Sequence, residues 1–193
     1  MSSSDWITLT FFLFVIVITL VIGIAQRKKR EEMLTRQAEK RGGQVARPGL
    51  FRRTKLLLPY QGETLQIYSI PGSRDRPPRT VAQVQCDSPR FPEIRIAQNN
   101  LWRKFQGLLG KERILTGDDE FDSKFVMITE DQYWILRFLT DDFKKALLHS
   151  PFRSMDINIK PQDFRVTVMS IPRSDEEYDL FIDTVLSILQ KCF

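Results

Sequence analysis

Residues 6–25 read WITLTFFLFVIVITLVIGIA, a run of 20 positions with no charged side chain. An unbroken apolar run predicts a helix that is apolar on every face, unlike the one-sided helices of water-soluble domains. At 1.5 Å per residue it spans about 30 Å, the thickness of a bilayer's hydrocarbon core. Trp6 stands at one end, where an indole favours the interface. A cleaved signal peptide needs basic residues ahead of a shorter apolar core and a small-residue cleavage site. MSSSD has neither Lys nor Arg, and the exit GIAQRKKR has no A-x-A. The run is therefore expected to remain as a single-pass signal-anchor.

The next stretch, QRKKREEMLTRQAEKR at 26–41, is polar and suits an exposed continuation of the helix. Glu31 and Glu32 lie one turn from basic neighbours, among them Lys28 and Arg36. Gly42 and Gly43 are expected to end it.

From residue 50 the period shifts to that of strands. KLLLPY (55–60) and TLQIYSI (64–70) flank Gln61-Gly62-Glu63 as a hairpin, with Leu65, Ile67 and Ser69 on one face. A Pro-rich loop follows, PGSRDRPP at 71–78. Residues 80–86 alternate Val81, Gln83 and Gln85 against Ala82, Val84 and Cys86, and EIRIA (93–97) is a short strand. LWRKFQGLL (101–109) suits a short amphipathic helix, although Gly107 weakens it, or else a strand-rich connection. FDSKFVMI (121–128) reads as a further strand. Thr129 and Thr140 are candidate caps for helices over 130–139 and 141–149. In the second of these Asp141 and Asp142 suit the positive end of the helix dipole, and Pro151 stops it. MDINI (155–159) and FRVTVMS (164–170) form the cleanest hairpin.

The last helix is the clearest. Ser174 and Glu177 make a capping box. Tyr178, Phe181, Ile182, Val185, Ile188 and Leu189 then keep i, i+3, i+4 spacing. Strands in hairpins with helices in separate runs predict an α+β domain with a mostly antiparallel sheet packed by helices. The expected organisation is an extracytoplasmic N-terminus (1–5), a transmembrane helix (6–25), a basic juxtamembrane helix or linker (26–43) and a cytoplasmic domain (44–193).

Charge sets the orientation. Net charge is +5 over 193 residues, and +4 of it falls within 27–41. Arg27, Lys28, Lys29, Arg30, Arg36, Lys40 and Arg41 all follow the apolar run, and no basic residue precedes it. Basic residues close to a span stay on the cytoplasmic side, so the N-terminus faces outward from a plasma (inner) membrane. The same seven are candidates for attraction to anionic lipid head groups, about 1 kcal/mol each near the surface. The nearly balanced domain argues against a nucleic-acid footprint.

Candidate chemistry is thin. His149 is the one histidine. It stands at the expected end of a helix, where a cation is favoured structurally. Cys86 and Cys192 are far apart and read as buried, reduced thiols. The acidic group Asp118, Asp119, Glu120 and Asp122 lacks the order of a calcium loop and reads as a solvated turn after Gly117. No Walker sequence or GxGxxG occurs, so no cofactor or metal site is expected and the balance leans away from an enzyme.

Asp119-Glu120-Phe121-Asp122-Ser123-Lys124-Phe125-Val126, then Asp131-Gln132 and Leu139-Thr140, resembles an uncharacterised family of bacterial membrane-anchored domains across about residues 108–150. The resemblance implies no activity. Phe121 and Phe125, four apart, are expected to share a face and anchor the core. The residues together suggest a non-enzymatic, membrane-tethered interaction domain with a protein partner. The alternatives are a small accessory subunit of a membrane complex, or a carboxylate-dependent enzyme at the membrane surface.

Overall fold

The structure, a computed structural model, describes residues 3–47, 53–89, 91, 93–99, 113–129, 139–152 and 154–192, with side chains from Phe11 onward. One uninterrupted helix, α1 (Ser3–Arg41), carries both the apolar run and the basic stretch. It is the one helix among the described residues long and apolar enough to cross a membrane. Its large apolar side chains from Phe11 to Ile24 are exposed to the surroundings of the protein. Lower down its character changes. Met33, Leu34 and Ala38 are buried in the core, together with Gln37. The expectation of an exposed helix over 26–41 is corrected there, and the folded unit reaches back across the boundary at residue 44. Adjacent Met33 and Leu34, with Ala38 one turn on, form a narrow apolar stripe that the surrounding charges conceal.

Gly42 ends α1 at φ +66°, and the Gly43 amide returns to the Ala38 carbonyl at 2.8 Å. Chain direction reverses into β1 (Gln44–Ala46), too short to be read from alternation. Then come β2 (Lys55–Tyr60), β3 (Glu63–Ile70), β4 (Arg79–Gln85) and β5 (Ile94–Gln98). After α2 (Asp119–Lys124) and β6 (Phe125–Thr129) follow α3 (Asp141–Leu148), β7 (Met155–Lys160), β8 (Asp163–Val168) and α4 (Asp175–Cys192).

The strands form one antiparallel sheet of eight, ordered β1-β2-β3-β4-β8-β7-β5-β6. Register aligns Leu56, Ile67, Ala82, Val166, Ile157, Ile96 and Met127 in one row, each at most 1 % exposed. This face packs in one core with α4, whose Tyr178, Phe181, Ile182, Val185, Ile188 and Leu189 are all buried. The adjacent row on the opposite face holds Gln66, Gln83, Arg165, Asn158 and Arg95. Ties such as Gln83 to Asp163 at 2.7 Å and Arg95 to Asp156 at 3.1 Å hold members of this row. Core on one face and polar groups on the other is the usual division in antiparallel sheets. The α+β architecture behind an apolar N-terminal helix is as expected.

One assignment changes. Residues 121–128 are not a single strand, because 119–124 are helical and the strand begins at Phe125. Asp118 caps the helix by accepting the Phe121 amide at 3.1 Å, with Asp119 and Glu120 in its first turn. Phe121 and Phe125 still share a face, stacked at 5.0 Å and buried. The acidic turn has structural work: Asp122 accepts the amides of Thr116 and Gly117, and Lys144 bridges to Asp118 at 3.1 Å. Thr140 caps α3 as expected, and His149 ends it with Nδ1 2.8 Å from the Lys145 carbonyl. Cys86 and Cys192 are buried and unbridged. The helices expected over 101–109 and 130–139 lie outside the described residues.

Candidate functional site

Antiparallel pairing gathers one set of chain ends at a single end of the sheet. There lie Arg53 and Thr54 before β2, the 71–78 loop between β3 and β4, Pro151 and Phe152 ahead of β7, and residues 169–174 after β8. The tight hairpin turns at Gln61-Gly62 and Pro161-Gln162 point the other way. α1 enters at the first of these ends, directly from its apolar segment. The loops of that end therefore surround Gln26, Lys29 and Arg30.

α4 starts from the same end and runs parallel to the last turns of α1. Arg36 meets Asp175 at 2.8 Å, Lys40 meets Asp179 at 2.7 Å, and Arg41 meets Asp179 at 2.9 Å and Asp183 at 2.8 Å. Acids at 175, 179 and 183 recur every four residues, so they line one face of α4 opposite the basic stripe. Gln37 adds a bond to the Asp175 carbonyl at 3.3 Å. The hydrogen bond from Lys40 does most to hold the Asp179 carboxyl below its ordinary range; burial opposes it, and Arg41 and Gln37 lower it further. Burial works against the Arg41 charge, but its bonds to Asp183 and Asp179 outweigh burial and raise its pKa.

Two hollows open beside this junction. The larger, about 840 Å³, lies between α1, the 71–78 loop, Phe152, the 169–173 segment and Leu180 of α4. Lys29, Arg30 and Arg173 bring positive charge to it, and Met33, Phe152 and Ile171 bring apolar surface. The smaller, about 240 Å³, is lined by Gly23, Arg27, Arg30, Arg53 and Tyr178 among others. Burial pushes the Tyr178 phenol up, with Ser69 and Arg30 partly offsetting it. Gly23 belongs to the apolar run, so this hollow adjoins the anchor itself.

The seven basic residues expected to act together are divided by the structure. Arg36, Lys40 and Arg41 face α4 and its carboxylates. Arg27 pairs with Glu31 at 3.3 Å and borders the smaller hollow. Lys29 and Arg30 line the larger one, and Lys28 is exposed. Arg53 and Arg173 join the site from elsewhere in the chain. Nothing local marked them; only strand register brings residues 53 and 173 beside residue 30.

The fold and this junction define an α+β domain mounted directly on a helix of membrane-spanning length. No family model matches the chain, and no curated protein matches it in sequence. Among solved structures it is similar to the mycobacterial trehalose monomycolate transport factor A, TtfA. That similarity has a TM-score of 0.53 at 12 % identity and covers 86 % of this chain and 93 % of that one. At this identity the likeness is one of fold.

Proposed function

We propose that this chain is a membrane-tethered, non-enzymatic accessory factor, whose domain sits on the cytoplasmic side of the plasma membrane and engages a protein partner there. The observation that carries the reading is the unbroken course of α1 from exposed apolar surface into the domain core. A flexible linker would let the domain roam; a helix fixed at both ends presents one face of it to the bilayer. Tethering also raises the local concentration of a binding module near its partners. Orientation follows from the basic residues at 27–41 and the absence of any before the apolar run. Lys28, Lys29 and Arg30 are the ones left to attract anionic head groups, since Arg36, Lys40 and Arg41 have intramolecular partners. The transport role named for the structural neighbour supports an accessory part in a membrane assembly that moves lipid-like cargo.

Fractionation combined with a reporter tests this reading. The full chain should stay with membranes after salt and alkaline washes, and a reporter fused after Phe193 should be inaccessible from outside. Mild-detergent purification should carry the same membrane protein with it each time. A chain released by salt, or a reporter reached from outside, would defeat the proposal.

A further inference from the structure

We infer that the larger hollow is a seat for the head group and upper chain of one anionic membrane lipid. This deepens the reading of α1 as a bilayer anchor and rests on it. The volume, about 840 Å³, lies within the ~300–1,000 Å³ of small-molecule sites. Its position selects the source of the ligand. Gln26, on its rim, directly follows the last residue of the apolar run, so the mouth opens where that run ends. A lipid head group reaches such a mouth without leaving the leaflet.

The lining is amphipathic in the same sense as a lipid. Lys29, Arg30 and Arg173 supply positive charge, and none has an ion-pair partner among the described residues. Glu177, which also lines the hollow, has its carboxylate occupied in accepting the Arg173 backbone amide at 2.8 Å. Apolar surface comes from Met33, Phe152, Ile171 and Leu180, and Leu180 is a large apolar side chain left 44 % exposed. Exposed apolar surface beside cations free of ion pairs marks a binding surface. Together they suit an occupant with a phosphate at one end and acyl carbons at the other.

The full-length chain in phosphatidylcholine nanodiscs doped with photoreactive phosphatidylglycerol gives the test. Crosslinks should map to the 71–78 loop, to residues 169–173 and to Leu180. Labelling there should fall about fivefold for each of Lys29→Gln, Arg30→Gln and Arg173→Gln. Leu180→Trp, which fills the hollow without changing charge, should reduce it as well, and Lys160→Gln at the far end of the sheet should leave it unchanged. Labels confined to the apolar run and equal in every variant would overturn the inference while leaving the anchor intact. Displacement of the label by inorganic phosphate would overturn it too, marking an anion site independent of the bilayer. Failure of the chain to enter nanodiscs would instead defeat the anchor reading.

Discussion

Arg41 and Asp179 are 138 residues apart in the chain and 2.9 Å apart across the seam between α1 and α4. The guanidinium is also shared with Asp183, and only 16 % of the Arg41 side chain remains exposed. The anchor helix is thus locked to the C-terminal helix through a chelated cation. Isolated surface pairs are worth little, but a cation held by two carboxylates and flanked by Lys40 forms a network.

Arg41→Ala should lower stability by about 1–2 kcal/mol, and Lys40→Ala by less, since its side chain is 59 % exposed. Denaturant unfolding of the detergent-solubilised chain measures both. A double-mutant cycle with Asp179→Ala should show coupling of about 0.5–1 kcal/mol for Arg41. Additivity of the two single changes would mean that the seam is held by apolar packing alone.

Acid should loosen the same seam. Asp179 has its carboxyl pKa lowered in the folded state, chiefly by Lys40. A depressed carboxyl stabilises the fold above the unfolded aspartate value of about 3.9, and that contribution is lost as pH falls through the folded value. Amide exchange over residues 33–41 should therefore be steady from neutral pH to about pH 5 and rise below about pH 4, after correction for intrinsic rates. Asp118, lowered by its bond from Phe121 and by Lys144, titrates in the same window. Asp179→Asn separates the two, because it should raise exchange in α1 already at neutral pH and remove the acid step there. An acid step of unchanged size in that variant would assign it elsewhere.

Most of this architecture was legible from residue patterns, and the reasons differ by element. Ser174 was readable as a cap because its hydroxyl accepts the Glu177 amide at 3.3 Å, a local contact. The 155–168 hairpin was readable because alternation at Ile157, Ile159, Phe164 and Val166 matches burial residue by residue. Residues 121–124 misled, since phenylalanines four apart fit either a helix or a strand, and the Asp118 cap decides between them. The site was the least legible part. A basic run following an apolar one signals an interface, but which of its cations are taken up by carboxylates depends on Asp175, Asp179 and Asp183, more than 130 residues away. Arg173 and Phe152 reach the hollow only through the ordering of the strands.

Adjacent glycines at the foot of α1 should respond to substitution for different reasons. Gly42 has φ +66° with open space around its missing Cβ, so Gly42→Ala should cost about 1–2 kcal/mol and Gly42→Asn less. A Cβ on Gly43 would lie 2.4 Å from the Leu57 backbone oxygen and 2.5 Å from Leu58 Cδ2. Gly43→Ala must push α1 away from β2, and about 2 kcal/mol or more is expected. Equal costs for Gly42→Ala and Gly43→Ala, with full rescue of both by asparagine, would contradict this distinction. Thermal unfolding of the alanine and asparagine variants at both positions, four in all, provides the comparison.

Where the domain begins can be decided by truncation. A cut before residue 44 appears natural on charge and glycine content, but it removes Met33, Leu34 and Ala38, which are 3–5 % exposed and part of the main core. It also leaves Asp175, Asp179 and Asp183 facing water without their cations. Loss of one buried leucine or methionine alone costs about 2–5 kcal/mol, comparable with a large part of a domain's whole stability. A fragment starting at residue 31 keeps these contacts and drops the apolar run. It should be soluble, with a single cooperative unfolding transition. The fragment starting at residue 44 should unfold at least 10 °C lower, or aggregate through the uncovered strip over Leu56, Leu58 and Leu65. Matching transitions for the two fragments would show that the lower part of α1 rests on the domain without contributing to its fold.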